Sequence, residues 1–315
     1  MSGPSGYRGC RVLLLGGGGF IGRWVAARLL DAGADLRVTT RDPAKLASRR
    51  GSLGVPVEVD LSRTGAAADL VRMLRPSITF NLAGYGVDPL ERDEALAARI
   101  NHKLVQELAE ASASVPDPEW RGQQLIHTGS GAEYGVVEGR ISEATRPRPL
   151  TAYGRTKLAG TEAVSRAARS GALRAASARL FTVYGPGERP ERLLPSLMAA
   201  ARNRSELALT AGEQRRDFTY VGDVAEGLLR LGLSDEEGLG PINLATGRVE
   251  TVRRFAERAA AVLGLDPGLL HFGALPVRLD DTMHGEVSVD RLRQIAGWVP
   301  DTSIEEGVRR TARGG

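Results

Sequence analysis

One stretch narrows the fold more than any other: RVLLLGGGGFIGRWVAARLLDAG, residues 11–33. A short apolar run closed by glycines is followed by apolar residues at helical spacing that end on Gly33, which predicts strand, turn and helix. Gly16, Gly19 and Gly22 fall as G-x-x-G-x-x-G between that strand and its helix. Glycine permits the turn and lets the backbone approach a pyrophosphate, whose charge is favoured by the free amides at a helix N-terminus. A ligand-free tight turn would use the same glycines, but the flanking strand and helix supply the context that a dinucleotide site requires.

The alternation continues along the chain. DLRVTT (35–40) reads as strand, DLVRMLR (69–75) as helix, SITFNLAG (77–84) as strand and LAARINHKLVQELAEAS (96–112) as a long helix. QQLIHTGS (123–130) is strand, AYGRTKLAGTEAVSRAARSG (152–171) helix and RAASARLFTVYG (174–185) one further strand. Strands alternating with helices predict an α/β, doubly wound parallel sheet with helices on both faces. From about residue 184 the pattern loosens into GPGERPERLLP, which suggests a second, smaller C-terminal lobe. The expected division is 9–182 plus about 218–246 for the dinucleotide-binding part, and about 183–217 with 247–315 for the substrate lobe.

Composition removes several function classes. No apolar run approaches the roughly 20 residues of a membrane helix, and no basic segment leads into an apolar stretch near the start, so no membrane role is expected. Residues 1–8 read as a frayed tail. A single cysteine, Cys10, forms no internal disulfide and supports no metal site, which fits a reducing cytoplasm. The net charge of +4 comes from scattered arginines with no basic block, so no nucleic-acid face is expected. Arginines suit a phosphorylated small molecule instead, because the guanidinium fork matches phosphate oxygens two at a time.

At the end of the second strand, in VTTRD, Arg41 stands where an NAD site usually places an acid for the ribose 2′-hydroxyl. An arginine there pairs with a 2′-phosphate, so NADP (NADPH) is expected over NAD; the alternatives are a solvated Arg41 and an inward-turned Asp42. Asp60 closes the third strand segment, VEVDL, where it could meet the adenine amino group or cap a helix. Tyr153 and Lys157 stand four apart and so project from one helix face. A nearby ammonium favours the phenolate and makes the tyrosine a usable proton donor or acceptor.

Taken together, GGGGFIG, DL at 60–61, NLAG at 81, Asn101, GSGAEYG, YGRTK, RLFTVYGPG, RRDFTYVGDVA, NLATG and GWVPDTSIEEGV resemble the extended short-chain dehydrogenase/reductase family, in particular its enzymes of nucleotide-activated sugars. They run in the family's order from residue 11 to about 308. The resemblance implies a Rossmann domain and a cofactor held by Gly16, Gly19, Phe20, Ile21, Gly22, Arg41, Asp60, Leu61, Leu82, Ala83, Asn101, Tyr153 and Lys157. Ser130 would hydrogen-bond the reacting sugar oxygen, Tyr153 would be the general acid/base, and Lys157 would bind the nicotinamide ribose and depress the tyrosine pKa. Arg216 and Arg278 would grip the diphosphate, with Tyr85 and Thr182 near the sugar; a surface ion pair is the alternative for each arginine, and simple packing for Tyr85. A homodimer is expected through the helix after Asn101 and the one bearing Tyr153.

The departures from the family are informative. Thr182 replaces its usual asparagine and Tyr220 its usual histidine. Its sugar 4,6-dehydratases need an acid pair directly after the catalytic threonine, where this chain has Gly131 and Ala132, so dehydration is not expected. Glu133 reads as structural or loosely substrate-facing, with Glu133→Gln leaving the chemistry largely intact. The reaction expected is NADPH-dependent reduction of a dTDP- or CDP-linked 4-keto-6-deoxy sugar; an NAD-dependent nucleotide-sugar 4-epimerase and a non-catalytic NADP sensor are the alternatives.

Overall fold

The structure, a computed structural model, describes residues 5–47, 53–88, 90–137, 139–277 and 285–314. Its centre is a seven-stranded sheet built from β1 (Arg11–Leu15), β2 (Asp35–Thr40), β3 (Val55–Glu58), β4 (Ile78–Asn81), β5 (Leu125–Ser130), β6 (Ala175–Leu180) and β10 (Gly240–Leu244). The spatial order is β10-β6-β5-β4-β1-β2-β3, and every neighbouring pair is parallel. Both faces are covered, as β1 shows: Val12 and Leu14 enter one apolar cluster while Leu13 and Leu15 enter the other. This is why a parallel strand reads as a continuous apolar run. The first cluster is roofed by α1 (Gly22–Asp31) and α8 (Val221–Leu233); the second by α3 (Ala66–Leu74), α5 (Leu104–Ser114) and α6 (Ala152–Arg169). Short α2 (Pro43–Ala47) follows β2.

β1 pairs with β2 on one side and with β4 on the other. The winding direction therefore reverses between β1 and β4, and the crevice beyond their C-terminal ends is where such sheets bind ligands.

The remaining elements form a third cluster. β7 (Thr182–Tyr184), β9 (Arg215–Tyr220) and β11 (Val249–Thr251) make a three-stranded sheet, and β8 (Leu207–Leu209) pairs with β12 (Leu270–Phe272). α7 (Leu193–Asn203), α9 (Val252–Leu263) and α11 (Ile304–Arg313) pack on them, while Leu292 of α10 (Asp290–Ala296) returns to the first cluster.

Four sequence expectations change. The single strand over 174–185 is two strands in different sheets, parted at Phe181: β6 is buried along its whole length and β7 pairs instead with β9. The expected lobe boundaries at 182/183 and 217/218 fall within β7 and β9, whereas the crossings between sheets lie at Phe181 and after Tyr220. The long helix over 96–112 begins earlier, as α4 (Glu94–Ala98) capped by Asp93, and carries a π turn at Arg99–Lys103 before α5. The tail is not frayed at Tyr7, which is fully buried and donates its hydroxyl to the Leu229 carbonyl at 2.7 Å.

Candidate active site

The glycine turn can be tested by what a side chain would meet. A Cβ on Gly22 would stand 2.2 Å from the Gly16 carbonyl oxygen, so α1 can start this close to β1 only with glycine there. Gly16 has φ +76°, and its added Cβ would meet the Leu82–Ala83 backbone at 2.7–2.8 Å. Gly16 thus lies against the turn after β4, at the switch point of the sheet. Gly19 is exposed, with only the Gly16 oxygen, 3.2 Å away, near an added Cβ. No side chain caps α1, whose N-cap is Ile21. These residues fit a dinucleotide pyrophosphate: two glycines bring strand and helix together and the third leaves the surface of the turn bare. Phe20 and Ile21 are half-buried and pack toward the third cluster.

Arg41, exposed just past β2, lies within electrostatic reach of Asp60. Asp60 does not end a strand, since β3 stops at Glu58, nor does it cap α3, whose N-cap is Gly65. Its Oδ1 accepts the Ser62 amide at 2.9 Å and hydroxyl at 2.7 Å, and these bonds, chiefly, lower its pKa. Leu61 is half-buried on the second cluster.

In the turn after β4, the Leu82 amide donates to the Leu15 carbonyl, and the Ala83 amide to Asn81 Oδ1. Asn101 stands in the π turn between α4 and α5. It is fully buried; its Oδ1 accepts the Tyr85 amide at 3.0 Å, and its Nδ2 donates to the Tyr85 carbonyl at 2.8 Å and to Thr156 Oγ1 at 3.0 Å. With every polar atom of its side chain engaged, it braces the Tyr85 loop against α6, and the π turn is what turns it inward.

Ser130 ends β5 and caps a short 3-10 turn, Gly131–Glu133: its Oγ accepts the Ala132 amide at 3.2 Å. The Ser130 hydroxyl also lies near enough to the Tyr153 phenol to influence its titration; Tyr153 stands in the first turn of α6 behind the N-cap Thr151. Burial pushes Tyr153 up to about 12 against the Ser130 hydroxyl, and Glu133 and Glu91 add to the rise. Lys157, 3% exposed, is pushed down to about 8 by burial, with the Glu133 charge opposing. Within the protein itself, then, desolvation outweighs any pull of the ammonium on the phenol, contrary to the lowering expected from spacing. His127, buried on β5, is driven neutral by burial and then by Lys157, and so is no acid/base partner.

On the far side of the cleft, Thr182 opens β7 and is half-buried; Tyr85 is also half-buried. Arg216 sits on β9 opposite Glu250. Arg278 lies outside the described residues. Tyr220, in the usual histidine's place, is buried edge-on to Trp24 and Tyr184. Sequence reading passed over the segment after β7. There the Glu188 side chain is 7% exposed, pairs with Arg192 at 3.3 Å, and keeps Oε2 buried with no hydrogen-bond partner. Burial pushes its pKa up to about 7. The Arg192 charge reaches Tyr153, and Arg189 pairs with Asp88 and Glu91 of the Tyr85 loop. The i, i+4 spacing of Glu188 and Arg192 was the available signal.

A glycine cradle at the switch point beside a serine, tyrosine and lysine constellation defines a dinucleotide-dependent enzyme of the short-chain dehydrogenase/reductase type. The sequence profile of the NAD dependent epimerase/dehydratase family matches residues 12–245, and the chain belongs to that family. It is 32% identical over 311 residues to dTDP-6-deoxy-L-talose 4-dehydrogenase (NAD(P)(+)) of Kitasatospora kifunensis, covering 95% of this chain and 93% of the relative. Among solved structures it resembles the UDP-glucose 4-epimerase of Thermus thermophilus in complex with NAD, with TM-score 0.82, 28% identity and coverage of 96% and 98%. MoeE5 in complex with UDP-glucuronic acid and NAD matches with the same TM-score, identity and coverage. The chain is an NAD(P)-dependent enzyme of the extended short-chain dehydrogenase/reductase type.

Proposed function

We propose that the chain catalyses NADPH-dependent reduction of the keto group of a nucleotide-linked 4-keto-6-deoxy sugar, the nucleotide being dTDP or CDP. The observation that carries this is the Ser130 hydroxyl set beside the Tyr153 phenol and followed by a glycine packed against the Phe181 ring. A Cβ on Gly131 would stand 2.8 Å from the Phe181 ring, so a side chain there would have to displace Phe181, and neither Gly131 nor Ala132 offers a carboxylate for expelling water. A nicotinamide held at the glycine turn would supply the hydride for the carbonyl carbon. Ser130 Oγ then donates a hydrogen bond to the oxygen as negative charge develops, and Tyr153 delivers the proton that completes the alcohol. Lys157 would hold the ribose and, as a buried cation, favours the phenolate that remains until solvent returns the proton.

The relative's name supports the substrate class: oxidising position 4 of a dTDP-6-deoxy sugar is the reverse of reducing its 4-keto form, and one transition state serves both directions. Arg41, at the end of β2, supports NADPH through its 2′-phosphate; tighter binding of NAD than of NADP would count against this. The solved neighbours that carry NAD support the second reading, an NAD-dependent nucleotide-sugar 4-epimerase. Supplying a dTDP-4-keto-6-deoxyhexose with NADPH separates them: stoichiometric loss of NADPH supports the reductase, sugar interconversion without net cofactor use the epimerase, and neither the sensor.

A homodimer is proposed through α5 and α6, where Gln106, Glu110, Ala163 and Arg166 line a shallow surface hollow. Sedimentation equilibrium of the wild type and Ala163→Glu tests it, and a monomeric wild type would refute it.

A further inference from the structure

The carboxylate of Glu133 lies at the junction of three elements. Oε1 accepts the Ser130 amide at 2.8 Å and the Thr161 hydroxyl at 2.9 Å, while Oε2 accepts Arg179 Nε at 2.7 Å. Ser130 ends β5, Thr161 stands on α6 in register with Tyr153 and Lys157, and Arg179 belongs to β6. Glu133 is 0% exposed and Arg179 3%. Arg179 Nη1 in turn donates to Tyr134 Oη at 2.8 Å, and that hydroxyl donates to Asn243 Oδ1 of β10 at 2.7 Å. The space is filled to the point that a Cβ on Gly129 would strike Glu133 Oε1 at 2.6 Å and Thr161 Oγ1 at 2.9 Å. The glycines of HTGSGAEYG thus make room for this cluster at 129 and for Phe181 at 131.

We propose that Glu133 is the positioning residue of the catalytic serine: its buried carboxylate fixes the Ser130 backbone against the helix that carries Tyr153 and Lys157. The reciprocal cap does this by occupation. The Ser130 amide is tied to Glu133 and one Oγ lone pair to the Ala132 amide, which leaves the hydroxyl proton free to turn toward the reacting oxygen beside Tyr153. Ionic hydrogen bonds in a dry site are the stronger kind, and a buried charge that loses its partner is costly. Glu133→Gln sets an amide NH2 among groups that want an acceptor, either against Arg179 or against the Ser130 amide and Thr161, so it is not the silent change that sequence reading expected.

The proposal rests on the catalytic reading above, and its test separates the two. In Glu133→Gln, kcat should fall at least tenfold, with KM and the NADPH dissociation constant within twofold of wild type. In a Ser130→Ala background the same substitution should change kcat less than twofold, because no hydroxyl is left to position. Full kcat in Glu133→Gln, or equal losses in both backgrounds, overturns it. Should that variant not fold, Thr161→Val removes one bond to Oε1 and keeps the ion pair, and should lower kcat at least threefold, again only when Ser130 is present; an unchanged kcat overturns it. Exchange of the Ser130 amide hydrogen needs no substrate: it should speed up at least fivefold in Glu133→Gln while Leu228 in α8 is unaffected, and unchanged Ser130 exchange overturns the proposal. A wild type inert on every nucleotide sugar would refute the catalytic reading alone, and the exchange result would still decide Glu133.

Discussion

Replacing Lys157 by methionine keeps the length of the side chain and removes an ammonium from a site that is 3% exposed. Burial holds its pKa at about 8 against the ordinary 10.5, a gap that corresponds to ~3 kcal/mol. The sign follows from proton linkage. Between pH 8 and 10.5 the unfolded chain keeps a proton that the folded chain has lost, so the wild type gains stability relative to the variant as pH rises through that window. Below pH 8 the folded protein carries the whole cost of the buried charge. Lys157→Met should therefore be more stable than wild type at pH 7 by ~3 kcal/mol, converge with it by about pH 10.5, and turn over no substrate. Urea unfolding followed by tryptophan fluorescence at pH 7, 8.5 and 10 measures this, since comparing variant with wild type cancels every other titrating group. A variant less stable than wild type at pH 7, or a gap that does not change with pH, would refute the assignment of Lys157 as a buried, electrostatically costly cation.

Other consequences are equally direct. Gly22→Ala drives a Cβ into the Gly16 carbonyl and should lose ~1–3 kcal/mol as well as cofactor affinity. Gly19→Ala should keep its melting temperature and lose NADPH binding at least tenfold; a Gly22→Ala protein with wild-type stability would contradict the geometry. Glu188 keeps its proton up to about pH 7 when folded, whereas the unfolded chain releases it near 4.5, so the wild type loses stability as pH rises through that range. Glu188→Gln should match wild type at pH 4 and exceed it by up to ~3 kcal/mol at pH 8, checked by thermal melts across the range. Tyr153→Phe should abolish turnover and bind NADPH within threefold of wild type by fluorescence titration; retention of most of the rate would unseat the tyrosine.

What could be read from the sequence was local in origin. The glycines announce where backbones touch, and strands buried on both faces announce themselves as apolar runs. Tyr153 and Lys157 need only the helix period to share a face. What escaped reading depends on neighbours far along the chain. Asn101 faces the Tyr85 loop because a π turn shifts the helix face by a residue, and nothing in RINHK marks that turn. Asp60 reads as the end of a strand until Ser62 is seen to claim its carboxylate. Phe181 parts two sheets inside a run with no glycine or proline to mark the break. Glu133 looks like a surface acid in a polar turn until Arg179, 46 residues later, is placed beside it.

The passage of the chain between its two main sheets limits how it can be divided. After Phe181 it leaves the large sheet, and it returns only with α8 to supply the helix over the first cluster and, with β10, the outermost strand. No uninterrupted stretch of sequence therefore encodes either half. A fragment ending near residue 182 would bare the face that α8 covers and open an edge beside β6. Exchanging the second lobe between two relatives would require several coordinated grafts, so variation in substrate is more accessible through single side chains around the cleft than through swapping of parts.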